Sequence, residues 1–469
     1  MFFMETIVTD GIAQLSYLIG DEATGEAFVI DPRPDTQVYL DLARKHGVTI
    51  SRIFETHIHA DFMSGSRELA AACGCGDEIY LSHEGDASYD FDHQPLRDGD
   101  EFEFGSQILR AKWTPGHTPE HISFELCEAT KETEPWGVLT GDSLFVGSAG
   151  RPDLLGSEQT DELTKQLYET LYDYYLKLPD HVLIYPCHGA GSACGADIGE
   201  RLVSSIGFER RHNDFLRHPD LEHFHEFVVE GAPPAPDHYF RLKKVNAAGP
   251  IVLHGLPVVR GLRVDDFKQA MREPGTRIID TRHMLAYGGG HIKGAINIGA
   301  RAELSIWAGQ MLEPTDRLLL VLEHDDALDE TVSLFLRTGF TEFAGYLVGG
   351  MTAWEDAGLP MEQLRQLDVH ALKADTENGS HLMILDVRSP DEFESGHVPG
   401  ATHQFVADMR KRIDGLDKSK PIATYCASGY RASLASSLMQ SRGFEQVYNV
   451  PGSWKAWTSA GYPSEKASV

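Results

Sequence analysis

The stretch T-H-I-H-A-D at residues 56–61 decides the fold of the first half of the chain. It directly follows a short strand predicted over residues 50–55, so its imidazoles and carboxylate are expected where that strand ends. Three later polar clusters, which contain His117, Asp142 and His188, also follow predicted strands or turns. Loops at strand ends can direct such side chains to one point, and imidazoles with a carboxylate suit zinc, iron or manganese. One cluster alone is weak evidence, but four in this order predict a metal site.

Strands and amphipathic helices are predicted on both sides of this stretch. Apolar patterning predicts strands over residues 14–20, 26–31, 111–116, 138–140 and 182–185, and helices over residues 36–46 and 160–178. A Pro-rich stretch at residues 231–236 begins a segment with few regular signals that runs to about residue 257. We expect an interdomain linker over residues 246–258 of this segment.

The order of the clusters and the T-H-x-H-A-D core resemble the metallo-β-lactamase superfamily, in particular glyoxalase II and the persulfide dioxygenases. The resemblance covers residues 1–245 and implies an αββα sandwich. Persulfide dioxygenases hold one iron on two histidines and one carboxylate, which leaves open positions for oxygen and substrate. Carried over to this sequence, that facial triad is His57, His117 and Asp142, with one Fe(II) per chain.

His59, Asp61 and His188 lie outside the triad, and the resemblance implies that they orient the ligands and hydrogen-bond bound species. Glyoxalase II-like hydrolases instead hold two metals and need a histidine directly after the aspartate of the motif. That position is Phe62, whose phenyl ring cannot bind a metal. Asp61, His188 and a shared Asp142 could still hold a weak second metal. A dinuclear zinc thioester hydrolase with an accessory sulfurtransferase therefore stays open as the alternative to the mononuclear interpretation.

An arginine close behind Asp142 is a candidate for substrate binding. The stretch G-R-P-D at residues 150–153 resembles the Arg-x-Asp of persulfide dioxygenases, in which the arginine faces the carboxylate of the thiol carrier. A guanidinium fork suits that geometry, so Arg151 is expected to bind the carrier. An arginine that only pairs with Asp153 is the alternative.

The second half of the chain contains an internal repeat. D-T-R at residues 280–282 and G-H-I-K-G-A at residues 290–295 recur as D-V-R at residues 386–388 and G-H-V-P-G-A at residues 396–401, which is 106 residues later (386 − 280). Two Ala-Trp pairs follow, ending at Trp354 and Trp457. Landmarks that recur in one order predict a duplicated domain, and strands that alternate with helices favour a parallel sheet. We place the first repeat at residues 259–362 and the second repeat at residues 363–469.

The second repeat carries a cysteine loop, C-A-S-G-Y-R at residues 426–431, between a predicted strand and a predicted helix. Small residues, among them Ser428 and Gly429, place backbone N–H groups around the sulfur at the start of the helix. Such a nest stabilises a thiolate and an anionic ligand. Four residues separate Cys426 from Arg431, whereas cysteine phosphatases use five.

With the landmarks upstream of it, this loop looks like that of a rhodanese sulfurtransferase. The resemblance implies that Cys426 carries a persulfide, that Arg431 steers thiosulfate or sulfite, and that the small residues between them line the substrate site. The first repeat lacks this chemistry, because residues 195–425 contain no cysteine and the corresponding stretch is L-V-L-E-H-D-D at residues 320–326. Its two aspartates would repel thiosulfate, so the first repeat looks like an inactive rhodanese domain.

Composition limits the partners and the compartment. The 469-residue chain has 41 Lys+Arg against 71 Asp+Glu and a formal net charge of −30, which argues against binding to nucleic acid or to a membrane surface. No apolar run approaches the roughly 18 residues of a membrane span, and the first residues lack the basic start of a secretory signal. Six sparse cysteines indicate a reducing compartment. We expect a cytoplasmic homo-oligomer.

These features together predict an α/β protein, with an N-terminal αββα sandwich followed by an inactive and an active rhodanese-like domain with parallel sheets. Resemblance to persulfide dioxygenase–rhodanese fusions implies iron-dependent oxidation of a low-molecular-weight thiol persulfide by O2 to sulfite. Cys426 would then pass sulfane sulfur to sulfite to give thiosulfate, or run the reverse reaction, in sulfide detoxification. The expected partners are a persulfide of the glutathione, coenzyme A or cysteine type, O2, sulfite and thiosulfate.

Overall fold

The structure, a computed structural model, divides into two compact units. Unit 1 contains Met1–Leu256 with Leu336–Gly339, and unit 2 contains Pro257–Phe335 with Phe340–Val469. The residues that the structure describes are 1–130, 134–230, 235–378 and 381–466. The domain boundaries at residues 245, 258 and 362 stay predictions.

Unit 1 is built on two six-stranded sheets. The strands of the first sheet are β1 (Phe2–Thr9), β2 (Gln14–Asp21), β3 (Glu26–Ile30), β4 (Thr49–Phe54), β5 (Ile79–Ser82) and β6 (Gln94–Leu96). They lie in chain order; β1 to β3 pair antiparallel and β3 to β6 pair in parallel. Parallel neighbours need crossovers, which α1 (Gln37–His46) and α2 (Ser66–Cys73) provide.

The second sheet of unit 1 carries most of the candidate site. Its strands are β7 (Glu101–Phe104), β8 (Gln107–Trp113), β9 (Ile122–Glu128), β10 (Gly137–Gly141), β13 (Leu183–Pro186) and β14 (Ser204–Ser205), and the small hairpin β11 (Leu144–Phe145) and β12 (Ser148–Ala149) lies between β10 and β13 in the chain. The order is β14-β13-β10-β9-β8-β7, with β10 and β13 parallel and the other pairs antiparallel.

Apolar side chains fill three layers around these sheets. Phe28, Phe54 and Phe124 belong to the core between the two sheets. The helices after the second sheet are α3 (Ser157–Glu169), α4 (Ile206–His212), α5 (Leu221–Glu230) and α6 (Asp237–Ala248). Tyr39 of α1 packs on the outer face of the first sheet and Leu167 of α3 on that of the second, so the arrangement is the expected αββα sandwich.

Two segments of unit 1 differ from the sequence prediction. The helix predicted over residues 160–178 is α3 followed by a π-helical turn, Thr170–Tyr174, and a 3-10 turn, Tyr175–Lys177. The segment after residue 231, predicted to be poor in regular structure, contains α6; residues 231–234 lie outside the described part of the chain. The buried face of α6 includes the polar residues His238 and Asn246, which weakens the apolar periodicity that would have revealed the helix.

Unit 2 contains two five-stranded sheets whose pairs are all parallel. The first has the strands β15 (Gly261–Leu262), β16 (Thr276–Asp280), β17 (Ile296–Asn297), β18 (Arg317–Val321) and β19 (Phe343–Leu347), and the second has β20 (Arg365–Gln366), β21 (Met383–Asp386), β22 (Thr402–His403), β23 (Ile422–Tyr425) and β24 (Val447–Asn449). The orders, β15-β19-β18-β16-β17 and β20-β24-β23-β21-β22, are the same, as the duplication predicts.

The helices of the two repeats complete these sheets. They are α7 (Val264–Ala270), α8 (Met284–Gly289), α9 (Leu304–Met311), α10 (Leu328–Leu336), α11 (Gly350–Asp356), α12 (Val369–Glu377), α13 (Pro390–Ser395), α14 (Met409–Arg412), α15 (Tyr430–Ser441) and α16 (Ser453–Ser459). One apolar cluster joins Leu304 and Met311 of the first repeat with Met409 and Leu438 of the second, so both repeats share a core.

The predicted fold class is confirmed, since an αββα sandwich is followed by two α/β domains with parallel sheets. Among the helices of the described ranges, none combines the length and the apolar character needed to cross a bilayer.

Candidate metal centre and cysteine loop

The structure brings His57, His117 and Asp142 together in unit 1. His57 follows β4, His117 follows β8 and Asp142 directly follows β10, so the ends of three strands carry the three side chains. One ligand atom from each lies within 4.8 Å of the others. The Nε2 atoms of His57 and His117 lie 3.8 Å and 3.5 Å from Asp142 Oδ2, and the three side chains are buried.

Hydrogen bonds to the far side of both rings leave the Nε2 atoms free as acceptors. The Thr56 hydroxyl donates to Asp31 Oδ2 at 3.0 Å and accepts from His57 Nδ1 at 2.9 Å. His117 Nδ1 donates to the carbonyl of Arg151 at 3.0 Å. A protonated Nδ1 fixes the tautomer that presents a metal with the Nε2 lone pair. Burial lowers the pKa of His57 and of His117, which favours the neutral imidazoles that ligation requires.

The carboxylate of Asp142 presents a buried oxygen to the same point. Among the described residues, Asp142 Oδ2 has no hydrogen-bond partner, whereas Oδ1 accepts from His188 Nδ1 at 2.7 Å. Burial alone would raise the pKa of Asp142, but His188 holds it below its ordinary value, so the group stays ionised. An orphaned buried carboxylate oxygen between two imidazole nitrogens is what a bound cation requires. The donor set therefore fits a metal held by two histidines and one carboxylate.

His188, Asp61 and His59 surround this point but take different roles in the hydrogen-bond network. His188 lies between two carboxylates, with Nδ1 on Asp142 and Nε2 on Asp61 Oδ2 at 2.8 Å. Burial would lower the pKa of His188, but these carboxylates raise it well above its ordinary value. His59 Nε2 donates to Asp31 Oδ1 at 3.0 Å. Both histidines are thus hydrogen-bonded to carboxylates, and their predicted role in orienting the ligands stays a prediction.

Two further sets of possible metal ligands include His188. Asp61, His188 and Cys194 form one compact set, and Asp142, Cys187 and His188 form another. Phe62 is fully buried, and its ring centroid lies 4.4 Å from that of His59. A buried apolar ring therefore follows Asp61 beside His59, and its replacing the imidazole of a hydrolase-like second site stays a prediction.

Several residues of the centre were missed by sequence reasoning. Asp31 ends a predicted strand and anchors both Thr56 and His59. His121 Nε2 accepts from the backbone N–H of Asp142 at 2.9 Å, and burial lowers the pKa of His121 to about 3. The signal for His121 is its spacing, four residues after His117 in a Gly/Pro-rich loop.

Helix α6 also contributes to the centre. Asn246 Nδ2 donates to the carbonyls of His59 and Phe62, both at 2.8 Å, and so holds the backbone of the histidine motif. Lys243 is half-buried, burial lowers its pKa, and its charge contributes to the lowered pKa values of His57 and His117. Neither contribution has a local signal, because Asn246 lies more than 180 residues after the motif and Lys243 more than 120 residues after His117.

Arg151 lies beside the centre in an ion pair. It is 5% exposed, and its Nε and Nη2 atoms donate to the two carboxylate oxygens of Asp153 at 2.8 Å and 2.5 Å. Its own carbonyl orients His117. Its expected role in binding the carrier remains a proposal, and a carrier carboxylate would have to share this guanidinium with Asp153.

The cysteine loop of the second repeat directs a backbone N–H at the sulfur, and the full nest of N–H groups stays a prediction. Cys426 follows β23 and is 1% exposed, and the backbone N–H of Gly429 donates to its Sγ at 3.1 Å. Gly429 has φ +113°, a conformation that favours glycine, and α15 starts at the next residue. The carbonyl of the exposed Ser428 accepts from Gly452 N–H at 3.1 Å, which ties the loop to the start of α16.

Arg431 is held by a carboxylate that the sequence did not reveal. Its Nη1 and Nη2 atoms donate to Glu392 of α13 at 2.6 Å and 2.8 Å. Burial would raise the pKa of Glu392, but this ion pair lowers it. Glu392 therefore partly balances the charge of the Arg431 guanidinium and fixes its position.

The first repeat has no thiol at the equivalent place. In the first repeat, the Thr281 N–H donates to the Val321 carbonyl. In the second repeat, the Val387 N–H donates to the Tyr425 carbonyl in the same way. The residues that follow these carbonyls are therefore equivalent, and Leu322 takes the position of Cys426. A cavity of about 370 Å³ lies there, and its lining includes Glu323, His324 and Asp325.

Comparisons with known proteins match both halves of the chain. The family model of the metallo-β-lactamase superfamily matches residues 9–188, and that of the rhodanese-like domain matches residues 263–357 and 368–460. The mitochondrial persulfide dioxygenase of Bos taurus is 32% identical over 204 residues, which are 43% of this chain and 70% of the relative.

Two further likenesses cover different shares of the chain. The hydroxyacylglutathione hydrolase of Polaromonas sp. is 32% identical over 174 residues, which are 37% of this chain and 61% of the relative. A solved structure of a metallo-β-lactamase from Staphylococcus aureus subsp. aureus COL has a TM-score of 0.65 at 31% identity and covers 74% of this chain and 98% of its own.

Proposed function

The chain belongs to the persulfide dioxygenase family of the metallo-β-lactamase superfamily and continues into two rhodanese-like domains, and from this premise we propose that it oxidises a thiol persulfide and transfers its sulfur. The family and the domains make it an enzyme of sulfur metabolism with a metal-binding site built from His and Asp. We propose the specific reaction R–S–SH + O2 + H2O → R–SH + sulfite + two protons, with R a small thiol carrier.

One observation supports the dioxygenase best. Within the described part of the chain, Asp142 Oδ2 is buried without a hydrogen-bond partner, and the Nε2 atoms of His57 and His117 lie 3.8 Å and 3.5 Å from it. We propose that these three residues hold one Fe(II). Iron bound there would supply open coordination positions and a redox-active centre for O2 and the persulfide.

The remaining residues of the centre have positioning roles in this proposal. Thr56 and the Arg151 carbonyl keep the two ligand rings in the tautomer with a free Nε2. His188, bonded to both Asp61 and Asp142, keeps the carboxylate ionised and directed at the same point. Burial of all these groups excludes bulk water from the reacting sulfur.

Cys426 would carry the second activity. Its thiolate attacks the outer sulfur of a persulfide; the S–S bond of the donor breaks, and the carrier thiol leaves with a proton. Sulfite then attacks the sulfane sulfur on Cys426, thiosulfate leaves, and the thiolate is restored without any external oxidant. The Gly429 N–H and the start of α15 stabilise the anionic sulfur in both steps.

We propose that the reaction runs in the cytoplasm, where free thiols such as these six cysteines persist, and that the chain forms homo-oligomers.

The ligand assignment is tested by H117A with H181A as the matched control, because His181 is an exposed histidine of the same unit. We expect H117A to lose bound iron and oxygen uptake on glutathione persulfide together, while H181A keeps both. Wild-type oxygen uptake in H117A would contradict the assignment.

The number of metals is tested at Phe62. In F62H the new imidazole would complete a second site with Asp61 and His188, so zinc occupancy should rise towards two per chain and dioxygenase activity should fall. If Phe62 only packs, F62H should instead lower the free energy of unfolding by about 1–3 kcal/mol at unchanged metal content. Two tightly held metals in the wild type would favour the hydrolase chemistry of the Polaromonas relative.

A further inference from the structure

The cysteine loop of the second repeat is partly enclosed by the first repeat. A Cβ placed on Gly429 would lie 2.9 Å from Sδ of Met284, so the Met284 side chain packs directly on the loop. The Tyr430 hydroxyl, at the start of α15, donates to the carbonyl of Gly299 at 3.0 Å. Both contacts join the first repeat to the residues that directly follow the thiol.

Buried polar contacts fix this arrangement. Ser433 Oγ donates to Asn297 Oδ1 at 2.6 Å, and the Asn297 N–H donates to Ser437 Oγ at 2.9 Å. Asn297 Nδ2 in turn donates to the carbonyls of Asp280 and Arg282, both at 3.0 Å. Helix α15 is therefore held against the end of β17 by satisfied buried groups, which rigidify a contact.

A charged pair of the first repeat lies beside this loop. The Arg301 guanidinium carbon is 4.6 Å from the centroid of the Tyr430 ring, and Arg301 Nε donates to Glu303 at 2.6 Å. The side chains of Arg301 and Glu303 are 49% and 40% exposed, so a ligand can reach both.

Electrostatic effects link this pair to the thiol. The Glu303 carboxylate raises the pKa of Arg301, and the charge of Cys426 contributes in the same direction. Burial would raise the pKa of Glu303, but Arg301 lowers it, with a smaller contribution from Arg431. Because Tyr430 lies four residues after Cys426, the pair lies next to the loop that holds the sulfur.

We propose that Arg301 and Glu303 of the first repeat form the outer part of the substrate site at Cys426 and bind the α-amino acid end of the thiol carrier. The inference rests on the proposed sulfur transfer at Cys426. A guanidinium beside a carboxylate matches a substrate carboxylate beside an ammonium, as in glutathione or cysteine. Coenzyme A offers phosphates and no ammonium, so Glu303 would repel it. Thiosulfate is held further in, by the loop N–H groups and Arg431.

The test measures how fast Cys426 of the full-length protein gains one sulfur atom, by mass spectrometry, from three donors: glutathione persulfide, coenzyme A persulfide and thiosulfate. For R301A we expect KM for glutathione persulfide to rise about fivefold, as for loss of an exposed charged contact, with kcat and the KM for thiosulfate within about twofold of wild type. For E303Q we expect KM to rise for glutathione persulfide and to fall for coenzyme A persulfide.

R365A is the matched control, because Arg365 also lies over a tyrosine ring, at 6.0 Å, but that tyrosine, Tyr448, belongs to β24 and not to the loop. It should leave all three KM values unchanged. The inference is overturned if R301A and wild type have equal KM values, or if R301A raises the KM for glutathione persulfide and for thiosulfate equally. In either case, loading of wild-type Cys426 with sulfur would still support the proposed transferase. If wild-type Cys426 gains sulfur from no donor, the proposed transfer fails and the inference fails with it.

Discussion

In each repeat, an aspartate at the end of the second strand holds an arginine two residues later in a buried ion pair. Arg282 Nη2 bonds to Asp280 and to the Gly290 carbonyl, and Arg388 Nη2 bonds to Asp386 and to the Gly396 carbonyl. The ring stacks are equally matched, with centroid distances of 3.8 Å for Tyr287–His291 and for Phe393–His397. The motifs that reveal the duplication therefore form structural contacts that both repeats share, and we call these contacts the frame.

The repeats differ at the loop after the central strand. The second repeat has Cys426, a glycine that donates to its sulfur, and an arginine held by Glu392. The first repeat has Leu322 and then Asp325, whose carboxylate accepts from Gly349 N–H at 3.1 Å. The first repeat has thus kept the frame without the reactive loop, because the ion pair supports the sheet whether or not the loop reacts. Four measurements on matched positions test this separation.

The largest expected effect is at the thiol. C426S should lower thiosulfate-dependent sulfur transfer by about a thousandfold or more, because a serine cannot carry the sulfur. L322S, at the equivalent position of the first repeat, should leave the rate within about twofold. Substantial transfer by C426S would move the carrier to another cysteine, with Cys187 and Cys194 the next to examine.

The frame should respond equally in both repeats. D280A and D386A each leave a buried guanidinium unpaired, so each should lower the free energy of unfolding by about 3–5 kcal/mol. Urea denaturation of the two variants measures this. A loss confined to D386A would show that the pair belongs to the chemistry of the second repeat and not to the frame.

A smaller effect is expected from the carboxylate that faces Arg431. E392Q removes a negative charge beside the anion site but keeps an oxygen that can accept from the guanidinium. We expect KM for thiosulfate to fall about threefold while kcat changes little. The equivalent position of the first repeat is Ala286, and A286Q is the control. A rise in KM would mean that Glu392 serves chiefly to orient Arg431.

The smallest effect is expected from returning a thiol to the first repeat. L322C places a cysteine after β18, but the loop there has Asp325 in place of the glycine and no arginine equivalent to Arg431. In a C426S background it should restore no detectable transfer. Recovery of activity would mean that the missing thiol alone explains why the first repeat does not transfer sulfur.

The sequence predicted the fold class and the family resemblance, and both are confirmed. Short motifs with fixed spacing carried that information: the histidine motif, the D-x-R and G-H landmarks, and the cysteine loop. The order of the metal-binding clusters also indicated which side chains converge, since strand ends of one sandwich lie close together.

Residues that contact the two sites from distant parts of the chain could not be predicted from the sequence. Asp31, Asn246 and Glu392 act through contacts with residues that lie 25, 184 and 39 positions away, and nothing local marks them. Helix α6 was missed because its buried face is partly polar. The contact of Arg301 with Tyr430 depends on how the two repeats pack, which no motif encodes.

The identity of the metal centre decides whether the chain couples oxidation to sulfur transfer. Metal analysis of the pure full-length protein, combined with oxygen uptake on glutathione persulfide, measures it. We predict one iron per chain and oxygen uptake that yields thiosulfate in the wild type and sulfite in C426S. Two tightly bound zinc ions per chain, no oxygen uptake and hydrolysis of a glutathione thioester would contradict the dioxygenase.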